Sequence, residues 1–422
     1  MKHYIYLLLC FFLLSSCGDG DNSIVVVPEP DPEPEEESPL QALGFPDTGL
    51  PVMVINTPNG KPINSKEDWL KGASVVIYNI SGEKETEVAT AIKGRGNTTW
   101  GYPKKPYTLK LDSKTSVLGM SKHKRWALLA NWMDRTLLRN DVSLELGRRS
   151  KALGWTPDGR FVELILNGKH MGNYYVCEQI KIDESRVNIA ELDEAATEGE
   201  EITGGYVMEL DVYFDEQYKF YSSQYGLPYM FKDPDEVNSA QFDYMQQYVT
   251  TMETALKDKA RFEAREFEQY MELKSFADWW IINELVCNFE AKHPKSCYVH
   301  KDRGGKMVAG PLWDYDWETF TYHTTAHIVN NLYYPELFSD KEFRNIVKAQ
   351  WAILKPLYAT IPDYIDQQAK ALEKSDAINS SMWPISLDVN GDTKDSFSVA
   401  IDKMKSNYSY RLKWIDEYIN NL

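Results

Sequence analysis

The stretch Gly310-Pro311-Leu312-Trp313-Asp314-Tyr315-Asp316-Trp317 decides how the rest of this chain is read. Two carboxylates stand two residues apart, boxed by Trp313, Tyr315 and Trp317. In an extended backbone, residues i and i+2 point to one face. The spacing therefore predicts that Asp314 and Asp316 aim at one point in space. Two hard oxygen donors on one point suit Mg²⁺, Mn²⁺ or Ca²⁺ better than a softer metal. The flanking rings would wall and dry such a site. Paired aspartates are common in solvated loops, so this pair takes its meaning from its surroundings.

Just before the stretch, residues 296–300 and 306–309 read as a hairpin around Asp302-Arg303-Gly304-Gly305, which delivers the two acids. Before that, residues 276–287 are apolar nearly all round, which predicts a buried helix capped by Ser275. Residues 239–260 place Phe242, Met245, Val249, Met252 and Leu256 at helical spacing. Residues 340–422 are mainly helical, with Phe343, Val347, Trp351 and Leu354, then Met404, Tyr408, Leu412 and Ile415.

The earlier part has a β texture. Strands are predicted at 51–56, 73–79, 87–93, 107–111, 126–131, 204–211 and 229–232. A hairpin is predicted over 161–178, turning at Asn167-Gly168. Asp134 is placed to cap a helix over 135–153, with Leu138, Val142 and Leu146 on one stripe; Gly154 and Pro157 end it. The order predicts an α+β, two-lobe body over 43–422, with a β-rich lobe at 43–235 and a mainly helical lobe at 236–422.

The chain has 422 residues, 43% hydrophobic and 13% aromatic, enough for a sizeable core. Its formal charge is −17, of which residues after 40 carry −10. An acidic body argues against general nucleic-acid binding. Residues 93–151 depart from this balance, with fourteen Lys and Arg against four acids. Most of these cations belong to a solvated face, and a few are candidates to bind an anion such as a phosphate chain. Among them, Gly94-Arg95-Gly96-Asn97 lies between strands, where backbone N–H groups and a guanidinium can meet an anion. A basic β-rich half facing an acidic, metal-capable half is what a nucleoside triphosphate site requires.

The N-terminus predicts export. Lys2 and His3 precede a short apolar run, and Leu14-Ser15-Ser16-Cys17 resembles a bacterial lipobox. That makes residues 1–17 a signal peptide and Cys17 the lipidated residue, on a chain anchored to the outer membrane. The Gly-Asp-Gly-Asp after Cys17 resembles an outer-surface export signal. Residues 18–42, rich in Pro and Glu, read as an extended spacer. Of the body's Cys177, Cys287 and Cys297, the last two are close enough in sequence to pair. His323 and His327 stand four residues apart without an accompanying acid motif and read as solvated loop residues; no zinc signature is present.

Several segments, taken together, resemble the CotH family of spore-coat-type atypical protein kinases. They are Arg95-Gly96-Asn97 with Lys104-Lys105-Pro106-Tyr107, Leu137-Leu138-Arg139-Asn140, the 162–168 run with Met171-Gly172-Asn173-Tyr174, Gly205-Tyr206-Val207-Met208-Glu209, and the 310–316 stretch. The resemblance runs in order through about residues 50–320. It implies a divergent two-lobe protein-kinase-like fold that passes phosphate from ATP, with Mg²⁺ or Mn²⁺, to protein hydroxyls. Carried over, Lys105 or Lys110 stands for the phosphate-binding lysine, beside Arg95 and Asn97. Glu178 or Glu209 is the acid that positions it. Asp314 and Asp316 hold the metal, with Asp314 also counted as catalytic, and Glu290 stands where the general base falls. The family pattern leads one to expect an Asp near 290 and an Asn near 296, where this chain has Glu290 and Ser296. A base displaced by about 1 Å costs roughly a hundredfold in rate.

Two other readings compete. ATP is scarce outside the cytoplasm, so the cleft could serve a non-catalytic surface module that binds a glycan, a peptide or another extracellular ligand, a use the twelve Trp also suit. A carboxylate-based hydrolase using Glu290 with Asp314 or Asp316 depends on a carboxyl separation that sequence does not give.

Overall fold

The computed structural model describes residues 37–422. The expected signal peptide, lipidated Cys17 and residues 18–36 of the spacer lie outside the described residues. Packed structure begins before Leu43. Ser38 caps a short helix α1 (Pro39–Ala42), and Leu40 is buried against Val52 and Ile165. One apolar side chain docks the end of the proline-rich run onto the body.

Strands β1 (Val52–Asn56), β2 (Leu70–Tyr78), β3 (Lys84–Gly94), β4 (Tyr107–Thr115), β5 (His123–Leu129), β6 (Gly159–Leu166) and β7 (Lys169–Glu178) close into a barrel in the order β1-β2-β3-β4-β5-β7-β6. Parallel pairing of β1 with β6, from Val52↔Glu163 to Ile55↔Leu166, shuts it. Closure removes the sheet edges that would otherwise invite pairing with other chains. Alternate residues turn inward, and Ile92, Leu109, Trp126, Leu128 and Val176 fill the interior. At the β6–β7 turn, Asn167 and Gly168 both have positive φ, 52° and 76°. This is the primed turn whose twist matches the flanking strands.

Helix α2 (Arg139–Arg149) starts four residues later than the sequence predicts. Leu137 takes a left-handed φ of 59°, so the segment from 135 is not helical. Asp134 still serves the helix start, accepting the Arg139 backbone N–H at 2.8 Å. The expected stripe of Leu138, Val142 and Leu146 is buried.

A second sheet has the order β12-β11-β8-β10-β9, formed by β8 (Tyr206–Leu210), β9 (Lys219–Tyr221), β10 (Pro228–Asp233), β11 (Cys297–Lys301) and β12 (Met307–Ala309). It draws strands from both sides of the expected 235/236 boundary, so that boundary is not a packing boundary. Every residue of β8 is buried, so both of its faces are covered, and β10 and β11 pair with its two edges. Residues 38–422 form one compact unit.

The remaining helices are α3 (Ser239–Lys257), α4 (Lys259–Glu263), α5 (Leu273–Leu285), α6 (Tyr334–Ser339), α7 (Lys341–Tyr358), α8 (Ile361–Met382) and α9 (Phe397–Asn420). Helix α5 is buried on all sides, as its composition predicts, and packs on α7 and α9. It begins at Leu273, so Ser275 lies inside it rather than at its cap. The Ser275 hydroxyl instead accepts the Ala309 N–H at 2.9 Å and ties α5 to β12. Cys177, Cys287 and Cys297 are buried free thiols, so the 287–297 pairing that the sequence leaves open is not formed. No helix among the described residues is long and apolar enough to cross a membrane. The chain is therefore α+β, β-rich first and helical later.

Candidate active site

The 310–317 stretch is a turn, not an extended strand. Asp314 has φ 66°, a left-handed value that Asp tolerates better than most residues. Distant residues hold the turn in place. The Tyr315 backbone N–H donates to Asn140 Oδ1 at 2.8 Å, and its hydroxyl donates to Asn283 Oδ1 at 3.1 Å. Asn390 Nδ2 donates to the Asp316 carbonyl at 3.0 Å. Arg139 Nε donates to the Thr319 carbonyl at 3.1 Å, while its other nitrogens pair with Asp134 and Asp392. This buttressing turns both carboxylates into one cleft of about 760 Å³.

Neither Asp314 nor Asp316 has a Lys, Arg or His nitrogen within 4.0 Å among the described residues. Burial pushes the Asp316 carboxyl well above its ordinary range, and Asp314, Asp134 and Glu290 push it further. Water reaches Asp314 through the cleft, yet protein surrounds it. That enclosure raises its carboxyl too, against the pull of the Arg95 guanidinium and a hydrogen bond from Ser296 Oγ at 3.3 Å. Glu290 is lifted to about 7 by burial and then by Asp314, despite an ion pair with Lys295 at 2.6 Å. A fourth acid, Asp211, accepts the Ser296 and Tyr213 N–H groups at 3.0 and 2.7 Å. A carboxylate poised near neutrality beside two uncompensated ones is the pattern of an acid–base site.

Arg95 faces these acids. Its guanidinium lies 5.0 Å from the Trp313 ring centroid, and burial lowers it from its usual value while Asp314 opposes the shift. The glycines beside it are required. A Cβ on Gly94 would lie 2.3 Å from the Trp100 ring. Gly96 has φ 79°, and a Cβ there would lie 2.0 Å from Thr99 Oγ1. Glu209 also lines the cleft and forms an ion pair, but with Lys232, at 3.1 Å.

Of the residues expected to bind nucleotide, Arg95, Asn97 and Glu209 reach the cleft, and so do Glu290, Asp314 and Asp316. The Asn97 side chain is already engaged. Its oxygen accepts from Lys66 at 2.7 Å, and its nitrogen donates to Asp215 at 3.0 Å. Three residues are not brought there. Lys105 turns back to donate to the Trp100 carbonyl at 2.7 Å. Lys110 is exposed on the outside of the barrel. Glu178 accepts the Asp158 N–H at 3.0 Å and lines a separate cavity beside Arg148 and Trp155. Lys232, Lys295 and Asp211 belong to the cleft and were missed. Lys295 lies five residues after Glu290, close enough to have been considered. Lys232 meets Glu209 only because β10 pairs with β8, a pairing no local pattern announces.

The cleft suits a hard divalent cation of a particular kind. No group of three or more Asp, Glu, His and Cys side chains converges as a metal cage among the described residues. Asp314 and Asp316 do line one cleft without an ion-pair partner, Arg95 acting on Asp314 only from longer range. Mg²⁺ commonly takes one or two carboxylates and completes its shell with water and substrate phosphate. The donor set thus fits a cation that arrives with an anionic ligand.

A search of curated proteins returns no match to this chain. A family model described as CotH kinase protein matches residues 92–421, a span that holds Arg95, Glu209, Glu290, Asp314 and Asp316. The chain belongs to the CotH kinase family.

Proposed function

We propose that the protein is a phosphotransferase, which takes ATP with Mg²⁺ or Mn²⁺ into this cleft, between a β-rich and a helical lobe, and phosphorylates hydroxyls of a protein acceptor. The observation that carries this reading is the uncompensated pair Asp314 and Asp316, set beside a Glu290 held near neutrality. Asp314 and Asp316 would hold the cation, which supplies charge neutralisation at the phosphate oxygens. Arg95 supplies a fixed guanidinium to the phosphate chain. Lys232, oriented by Glu209, takes the part expected of Lys105 or Lys110. Glu290 accepts the proton as the acceptor oxygen bonds to phosphorus and the bond from phosphorus to the departing diphosphate breaks. Lys295 keeps the Glu290 carboxylate oriented. Anchoring through Cys17 at the outer membrane, with display at the surface, remains part of the same proposal and rests on the sequence alone.

One observation favours the binding-only alternative. The Glu290 carboxylate is already tied to Lys295, and Ser296 Oγ to Asp314, so both groups are engaged before any ligand enters. Label transfer from γ-labelled ATP to an acceptor protein, with Mg²⁺ or Mn²⁺, separates the two. Transfer that disappears in Asp314→Ala, with an unchanged melting curve in the absence of ligand, supports catalysis. Nucleotide binding without transfer under any cation establishes the binding-only role.

A further inference from the structure

The barrel presents a set of cations that the phosphotransfer site does not use. In the register of β3, β4 and β5, Lys93 faces Thr108, Thr108 faces Ala127, and Lys110 faces Arg125. Side chains alternate along strands, so Lys93, Lys110 and Arg125 share the outer face. Their neighbours Ile92, Leu109 and Trp126 fill the interior. Trp69 stands beside them, with Lys93 Nζ and the Arg125 guanidinium each 5.1 Å from its ring centroid. Trp69, Lys93 and Arg125 line the cleft, and Lys110 continues the patch onto the open barrel face.

None of these three cations has a carboxylate within 4.0 Å among the described residues. By contrast, Lys181, Lys232 and Lys295 around the same cleft are each ion-paired. Burial lowers Arg125 from its usual value, and Asp235 and Asp233 oppose the shift only from beyond ion-pair distance, so two cations brought to one indole keep no direct counter-charge. An anion placed among them supplies that counter-charge. The patch runs from inside the cleft to the outer surface, which suits an extended ligand better than a compact one. A single indole with three cations is too little for a nucleic-acid strand, which needs successive stacking platforms along a continuous basic groove.

We propose that this face docks an acidic polypeptide segment, the part of the acceptor that leads its hydroxyl towards Asp314 and Glu290. Calling the partner an acceptor rests on the phosphotransfer reading; the docking itself does not. Apart from the N-terminal segment the chain carries −10, so an acidic ligand is repelled generally and steered to this spot.

Fluorescence anisotropy with the full chain tests the proposal. The probes are a labelled Glu-rich peptide carrying one serine, its Lys-rich counterpart, a labelled ATP analogue with Mg²⁺, and a single-stranded oligothymidine. The Glu-rich peptide is expected to bind more tightly than the other two polymers and to weaken as salt rises. The triple variant K93Q/K110Q/R125Q should weaken it by about tenfold or more. K110Q alone should weaken it by roughly threefold and leave the ATP analogue unaffected, since each lost surface cation contributes only a fraction of a decade. Equal binding of Glu-rich and Lys-rich peptides overturns the proposal. So do tighter binding of the oligothymidine, unchanged peptide affinity in the triple variant when its melting curve is native, and an equal loss of ATP affinity in K110Q. Peptide binding without label transfer upholds the docking site and removes the phosphotransfer reading instead.

Discussion

At Asp316 a half-buried carboxylate stands near Asp314, Asp134 and Glu290 without a basic partner. Neutralising it relieves repulsion in the ligand-free protein but removes a donor to the proposed cation. Asp316→Asn is therefore expected to melt at or above the wild-type temperature without metal, and to lose the rise that Mn²⁺ gives the wild type. A Mn²⁺-induced rise that survives in Asp316→Asn counts against this assignment. Glu290 makes a pH prediction. A carboxyl lifted from 4.5 to about 7 keeps its proton in the folded protein where the unfolded chain has released it. Stability from this group is present below 4.5 and falls as pH rises towards 7. Transfer has the opposite sign, because the base form appears only above about 7, so rate should climb through neutrality. Glu290→Gln should lose that limb and about 10²–10⁴ in rate. A profile flat across neutral pH in the wild type would sink the role of Glu290 as base.

At the scale of elements, the loop at 388–395 between α8 and α9 reaches back to the acid turn. Asn390 holds the Asp316 carbonyl, and Asp392 pairs with Arg139, which holds Thr319. Asn390→Ala should lower transfer by roughly a hundredfold, since a displacement of about 1 Å at a catalytic group has that effect. The loss of its hydrogen bonds to the Asp316 and Met133 carbonyls should cost only about 1–3 kcal/mol of stability in denaturant. A rate loss no larger than that stability loss explains would make Asn390 merely structural. Elements with local signatures were legible. The β6–β7 hairpin follows from Asn167-Gly168, and α5 from an apolar run too uniform to be exposed. The start of α2 was not, because the segment before it takes a left-handed turn at Leu137 and Asp134 serves the helix from a distance. Ser275 reads as a cap for the same reason: its role is fixed by Ala309, thirty-four residues away.

For the molecule as a whole, long-range pairing sets both fold and site. Barrel closure depends on β1 meeting β6, and the second sheet on β8 meeting β11. Neither pairing is written in a local pattern. The acid turn, the Gly-flanked Arg95 and Glu290 could be read from the sequence because each sits in one short segment. Glu209 was among the candidates, but its partner Lys232 and the exclusion of Lys105, Lys110 and Glu178 required the strand register. Global stability leans on a buried ion pair, Glu284 of α5 with Arg411 of α9 at 3.2 Å. Arg411→Met leaves Glu284 buried and unpaired, and should cost about 3–5 kcal/mol in denaturant unfolding. Adding Glu284→Gln should restore most of it; a double variant as unstable as the single would show that Arg411 acts through its hydrogen bonds to the Glu284, His323 and Thr325 carbonyls alone. On the proposed reading the cleft takes a divalent cation and a nucleoside triphosphate together. Calorimetric titration of ATP into the full chain tests it most directly. Binding heat in Mg²⁺ that vanishes in EDTA and in Asp316→Asn is the predicted result; no heat in Mg²⁺, or equal heat in EDTA, would contradict it.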